Sequence, residues 1–206
     1  MTDTVIFDLD GTLTDSRRNI AESINYARIF KGLTALDEND IFERIDALTF
    51  ESAKVFYGED ANKEDHKRFE ERYEKICLND LRLYDGIEKT LFALNKRGVK
   101  MAIATNSTSV FAKAMLEHSG AARYFSAFIG ADCAVNPKPA PDMLFLALEK
   151  LGAKPSEAVF VGDSGKDMKA AKAAEIRGIF AAWGYGTQSA FADRVIKTPI
   201  ALLDAL

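Results

Sequence analysis

The chain has 206 residues, 48% hydrophobic and 28% charged, the make-up of an ordinary globular protein with enough length for one sizeable core and a small insertion. A formal net charge of −4 argues against nucleic-acid and anionic-membrane partners, and no apolar run approaches the roughly 20 residues that a membrane-spanning helix requires. The N-terminus lacks the basic and apolar regions of a signal peptide, and the two cysteines, Cys77 and Cys133, are far apart, so a cytoplasmic setting with reduced thiols is expected.

Val5-Ile6-Phe7 is a short apolar run of the kind that forms a strand buried on both faces, and it ends abruptly in Asp8-Leu9-Asp10-Gly11. Extended backbone there places both carboxylates on one side, where they repel and where a bound cation relieves the repulsion. Gly11 permits a tight exit from the strand. Helical spacing of apolar residues follows over 19–31, 40–57 and 63–78, with Gly32 and Gly58 as stops and no β-rich run from Ser16 to Tyr84. Beyond Tyr84-Asp85-Gly86 the texture changes. Strands are expected at 101–104, 127–130, 158–161 and 178–182, alternating with helices at 87–96, 110–118, 141–151 and 168–174. This alternation predicts an α/β protein with a parallel-sheet, Rossmann-like core and helices on both faces, plus an inserted all-helical cap domain. Residues 1–15 and 85–206 are expected to form the core, and 16–84 the cap, placed to sit over the strand ends as a lid.

Parallel strands bring their carboxyl ends to one edge of the sheet, and polar residues gather at those ends. The first strand offers Asp8 and Asp10, the second Thr105, Asn106 and Ser107, and the fourth Asp163, with Asp167 one turn into the following helix. The segment Asn136-Pro137-Lys138-Pro139-Ala140-Pro141-Asp142 mounts one lysine on a loop stiffened by three prolines. Taken singly, each group has a plainer reading: a helix cap for Thr105-Asn106-Ser107 or for Asp163-Ser164, a solvated surface side chain for Lys138. Together, carboxylates, a hydroxyl and a lysine at one sheet edge suggest a magnesium site facing a phosphate. His66 and His118 stand alone in polar helical surroundings and are expected to be exposed.

The stretch Asp8-Leu9-Asp10-Gly11-Thr12-Leu13-Thr14-Asp15-Ser16 closely resembles the signature of the haloacid dehalogenase-like hydrolase superfamily. Thr105 after an apolar strand, Lys138 in Pro-Lys-Pro-x-Pro-Asp, and Gly162-Asp163-Ser164-x-x-Asp167 resemble its second, third and fourth motifs, in the expected order. Tyr84-Asp85-Gly86-Ile87 and Trp183-Gly184-Tyr185-Gly186 are similar, more weakly, to the phosphoglycolate phosphatase-like branch. Three departures stand out: Asp85 replaces a common proline, Asp46 replaces a common glycine, and Glu175 replaces the usual glycine after Ala170-Ala171-Lys172-Ala173-Ala174, so that this helix is expected to end differently.

The resemblance implies a phosphomonoester hydrolase that works through an aspartyl-phosphate, with Asp8 as nucleophile and Asp10 as general acid and then base. It implies Mg²⁺ held by Asp8, the Asp10 backbone carbonyl and Asp163, with Asp167 in support. Thr105, the Asn106 backbone and Lys138 are expected to bind the phosphate, and cap residues in the Arg44–Thr49 segment, Arg44 and Thr49 foremost, the substrate. The implied partner is a small phosphorylated metabolite such as phosphoglycolate, with nucleoside, sugar and pyridoxal phosphates also open, and the chain a monomer or homodimer. Two alternatives share the pattern: a sugar phosphomutase of the same superfamily, and a non-enzymatic receiver domain that keeps its aspartyl-phosphate. Asp10 and the inserted helices count against the receiver.

Overall fold

The computed structural model describes residues 2–44, 53–187 and 189–206. Its contacts divide the chain into two compact units, residues 1–15 with 81–206 and residues 16–80. The second boundary falls four residues before the one at 85 expected from sequence. Residues 81–84 lie against the segment after the first strand: Thr14 bridges Leu83, Asp15 N–H donates to Arg82 O at 3.0 Å, and Tyr84 N–H to Leu13 O at 3.0 Å.

The first unit is built on six parallel strands: β1 (Thr4–Phe7), β2 (Lys100–Ala104), β3 (Ala127–Ile129), β4 (Ala158–Gly162), β5 (Arg177–Ala181) and β6 (Arg194–Ile196). Their order across the sheet is β3-β2-β1-β4-β5-β6. β1 lies at the centre, flanked by β2 in the register Val5–Met101 and by β4 in the register Val5–Val159. All four of its residues are buried, as a strand covered on both faces requires. The chain runs outward from β1 to β2 and β3, then returns to the other side through β4, so the order reverses between β1 and β4. In open α/β sheets the crevice beyond such a reversal is where ligands bind.

Four helices connect these strands: α5 (Ile87–Lys96), α6 (Ser109–His118), α7 (Asp142–Leu151) and α8 (Gly165–Ala173). Alternation along each strand sends Ile6, Ala102, Ala104, Ala158 and Phe160 to one face, where they pack with Met143, Leu144, Ala147 and Leu148 of α7 and Ala170 and Ala171 of α8. Residues of the opposite parity, among them Phe7, point to the other face, and the Phe7 ring meets Phe125 edge-on at 6.1 Å. Right-handed connections that run in opposite directions across a parallel sheet fall on opposite faces. β6 and the 3-10 helix Pro199–Asp204 were not expected. β6 is three residues long, with only Ile196 buried, too short to show a period.

α8 ends in the same way that a glycine would end it. Glu175 adopts φ 58°, and Ile176 N–H donates to Ala171 O at 2.9 Å and Glu175 N–H to Lys172 O at 3.2 Å, the paired bonds of a Schellman motif. The expected difference at this helix end is therefore absent. Ile176 and Ala171 both lie in the core cluster, and their packing holds a non-glycine residue in the left-handed region.

The second unit is helical where it is described: α1 (Arg17–Phe30), α2 (Glu38–Phe42), α3 (Ala53–Tyr57) and α4 (Lys63–Ile76). The single helix expected over 40–57 is not formed. α2 ends at Phe42, and Arg44 N–H closes the turn onto Ile41 O at 3.0 Å; Asp46 and Thr49 lie outside the described residues. α1 and α4 run antiparallel. Asn19 reaches Cys77 and Asn79, Glu22 pairs with Arg72, the Arg72 guanidinium lies over Tyr26, and Arg68 lies 4.0 Å over the Phe30 ring. α4 opens with a capping box between Asn62 and Asp65, and Asp65 also binds Lys31 at 2.7 Å. Among the described residues no helix is long and apolar enough to cross a membrane.

Candidate active site

The site forms where β1 and β4 end. Asp8 leaves β1 with its N–H bonded to Val161 O of β4 at 2.8 Å, which fixes its backbone beside the strand that delivers Asp163. The chain then curls at once: Thr12, Leu13 and Thr14 N–H all donate to Leu9 O, and Gly11 N–H donates to Thr14 O. Gly11 sits at φ 90°, and a Cβ there would stand 2.3 Å from Asp163 Oδ2. Only glycine permits both the turn and this approach.

Asp8, Asp163 and Asp167 are all buried and each offers a carboxylate oxygen, the three lying within 4.8 Å of one another. Lys138, 4% exposed, places its Nζ 2.6 Å from Asp8 Oδ1 and 2.6 Å from Asp167 Oδ1. Its backbone is locked by a reciprocal pair of bonds: Lys138 N–H donates to Asn106 Oδ1 at 2.9 Å, and Asn106 Nδ2 to Lys138 O at 3.0 Å. Asp167 Oδ2 accepts from the Ser164 hydroxyl at 2.6 Å and from its N–H at 3.0 Å, so the residue that caps α8 also aims the carboxylate at the lysine. The Thr12 hydroxyl lies 3.2 Å from Asp163 Oδ1 and 3.4 Å from Asp8 Oδ2; it has one proton for two acceptors.

These groups do not balance. With all three ionised, the buried carboxylates would face one ammonium with an excess of two negative charges. Burial pushes the Asp8 carboxyl up to about 7, with Lys138 pulling the other way. Burial, then the charges of Asp8 and Asp167, raise Asp163 well above the usual carboxylate range against the pull of two backbone N–H groups. Burial works against the Lys138 ammonium, but Asp167 and Asp8 hold it above its ordinary value. A doubly charged cation bound among hard oxygen donors would cancel that excess, so the donor set fits a divalent metal.

Asp10 is half-buried, and its Oδ2 accepts from the Ser107 hydroxyl at 3.0 Å. Thr105 is buried at the end of β2, its Oγ1 accepting from Ser107 N–H at 3.1 Å and its own N–H bonded to Ile129 O of β3. Ends of β1, β2 and β4 and the loop before α7 thus converge on one place.

The family model for haloacid dehalogenase-like hydrolases matches residues 5–181. The phosphoglycolate phosphatase of Pectobacterium atrosepticum is 35% identical over 186 residues, covering 87% of this chain and 80% of that protein. The phosphoglycolate phosphatase of Yersinia pseudotuberculosis is 36% identical over 196 residues, covering 91% and 84%. A solved structure described as a predicted phosphatase from Clostridium acetobutylicum matches with a TM-score of 0.89 at 26% identity, covering 100% of this chain and 98% of that one. This chain is a haloacid dehalogenase-like hydrolase. Relatives this similar also make it a phosphatase.

In this hydrolase, seven of the residues singled out in the sequence come together: Asp8, Asp10, Thr105, Asn106, Lys138, Asp163 and Asp167. Arg44 belongs to the helical unit, in the turn after α2, and Thr49 lies outside the described residues. The Asn106 side chain holds the Lys138 backbone, in addition to the phosphate contact expected of the Asn106 backbone. Four participants had no role assigned from sequence. Thr12 stood within the signature stretch, Ser107 stood among the polar residues after the second strand, and the N–H groups of Tyr185 and Gly186 that bind Asp163 have no side-chain signal at all.

Proposed function

We propose that this phosphatase hydrolyses a small phosphomonoester, phosphoglycolate or a close relative, by way of a phosphate carried on Asp8 and with Mg²⁺ as its metal. The observation that carries the reading is Lys138 Nζ, 2.6 Å from Asp8 Oδ1 inside a cluster of three buried carboxylates. Lys138 pulls the Asp8 carboxyl towards its ionised form against the effect of burial and holds it in one orientation, and a bound cation would add to that pull, as a nucleophile needs. The lysine is tied from behind by Asp167, so it faces both Asp8 and an incoming phosphate without being free to swing away.

Asp8 and Asp163, with the Asp10 backbone carbonyl, would hold the metal, and Asp167 supports the arrangement through Lys138. Bound there, Mg²⁺ supplies charge neutralisation for a dianionic phosphate meeting a carboxylate. The chain's own groups do the rest. Asp8 attacks phosphorus and the alcohol departs. Asp10, on the same strand end and oriented by Ser107, donates the proton that the leaving oxygen takes up, then accepts a proton from the water that releases phosphate. The Thr105 hydroxyl, whose oxygen already accepts from Ser107 N–H, has its proton to give to a phosphate oxygen. The helical unit is the proposed cap, with Arg44 and Thr49 as its contribution to substrate choice. The phosphoglycolate proposal rests on the relatives rather than on a described pocket.

A screen of phosphorylated metabolites with Mg²⁺, read as released phosphate, tests this reading. Phosphoglycolate or another small phosphomonoester should be turned over many times per enzyme. No release from any compound, or release of isomerised sugar phosphate in place of free phosphate, would overturn it.

A further inference from the structure

Residues 183–186, Trp-Gly-Tyr-Gly, follow β5 and have no part in the chemistry described above, yet four contacts tie them to it. Tyr185 N–H donates to Asp163 Oδ2 at 2.7 Å and Gly186 N–H to the same atom at 3.3 Å. The Trp183 indole Nε1–H donates to Thr12 O at 3.0 Å, and the Tyr185 hydroxyl to Thr14 O at 3.3 Å. Between them Gly184 leaves no room for a side chain: a Cβ there would stand 2.3 Å from Asp163 Cβ and 2.4 Å from Gly11 O. The Asp163 carboxylate is therefore held between Gly11 on one side and Gly184 on the other. Its Oδ2 accepts from backbone N–H groups, and Oδ1 is left facing the Thr12 hydroxyl.

We propose that this loop is a brace that sets Asp163 against Asp8 for metal binding, with Trp183 and Tyr185 as positioning residues that hold the 11–14 turn in register with Asp163. The proposal rests on the metal reading given under Proposed function. Both ends of the brace meet elements that the metal would join: Asp163 directly, and Thr12, whose hydroxyl lies between Asp8 and Asp163. Loosening either side-chain tether lets the turn and Asp163 move apart, and the metal then has to reassemble them. Metal binding and the order of the turn should accordingly be coupled, each favouring the other.

The test uses Trp183→Phe, Tyr185→Phe and Asp163→Asn in the full-length enzyme, with Mg²⁺ titrated calorimetrically at a temperature well below unfolding. Each phenylalanine variant removes one donor and keeps a ring, and should weaken Mg²⁺ binding by about twofold to tenfold, the range that one hydrogen bond supports. Hydrogen exchange at the Thr12–Thr14 amides should slow on adding Mg²⁺ in the unmodified enzyme and respond less in both variants. A role confined to stability would lower the melting temperature and leave the Mg²⁺ affinity unchanged, and that result overturns the proposal. If Asp163→Asn loses Mg²⁺ while both phenylalanine variants bind it as the unmodified enzyme does, the brace fails and the metal reading stands. If Asp163→Asn binds Mg²⁺ as before, the metal reading itself fails and the brace with it.

Discussion

Lys138 shows how much one side chain can carry. It is almost fully buried, its ammonium touches two carboxylates at 2.6 Å, and its backbone is clamped by Asn106. Removing one member of a buried ionic cluster strands the rest. Lys138→Met should therefore destabilise the metal-free protein by about 3–5 kcal/mol in denaturant unfolding at neutral pH. Part of that loss should return on adding Mg²⁺, because the cation offsets the same excess charge. A variant as stable as the original without metal would mean that the carboxylates are not charged together. Ser107 makes a second claim at this scale. Its hydroxyl orients Asp10, so Ser107→Ala should lower kcat for alkyl phosphates, whose leaving oxygen needs a proton, by about tenfold or more, and much less for p-nitrophenyl phosphate. Equal losses on both substrate types would assign Ser107 a purely structural part.

Among elements, the end of α8 is the sharpest case. Glu175 fills the left-handed position of a Schellman motif that a glycine would adopt freely. A left-handed non-glycine residue costs about 1–2 kcal/mol, and glycine's extra freedom in the unfolded chain returns about 0.4–1. Glu175→Gly should then stabilise the protein by roughly 0.5–1 kcal/mol, raising the melting temperature by about 1–4 °C for a chain of this size. A fall in melting temperature would show that the Glu175 side chain does something that its backbone does not reveal. The same helix shows what sequence could and could not convey. The polar residues after β1, β2 and β4 were legible because strand ends in a parallel sheet share an edge, and an apolar run that stops at Asp8 or Asp163 marks that edge. Glu175 was legible as a departure but not in its outcome, since Ile176 packing on Ala171 decides the backbone there. β6 had no period to read in three residues, and the helix expected over 40–57 stops at Phe42 because the turn closes on Ile41. Backbone donors such as Tyr185 N–H leave no trace in residue identity.

On the scale of the whole molecule, the central sheet explains why residues from positions 8 to 186 meet. The order reverses between β1 and β4, and the two carboxylates nearest that reversal, Asp8 and Asp163, are the ones that most need a cation. Activity should vanish after treatment with EDTA and return with Mg²⁺. Ca²⁺, which takes more oxygen ligands at longer distances, should bind and inhibit. Full turnover after EDTA without added metal would remove the metal from the account. Asp8→Asn should keep the circular dichroism of the folded protein and lose at least about a thousandfold in kcat, as the removal of a nucleophile does. The measurement that bears most directly on the central claim is to locate the transferred phosphate. Asp10→Asn enzyme is mixed with p-nitrophenyl phosphate and Mg²⁺, quenched in acid, digested and mapped by mass spectrometry. Phosphate should appear on Asp8 in near-stoichiometric amount, because this leaving group departs without Asp10 while water attack still needs it, and only transiently in the unmodified enzyme. Phosphate found on another residue, or released by Asp8→Asn enzyme at the unmodified rate, would contradict an aspartyl-phosphate on Asp8.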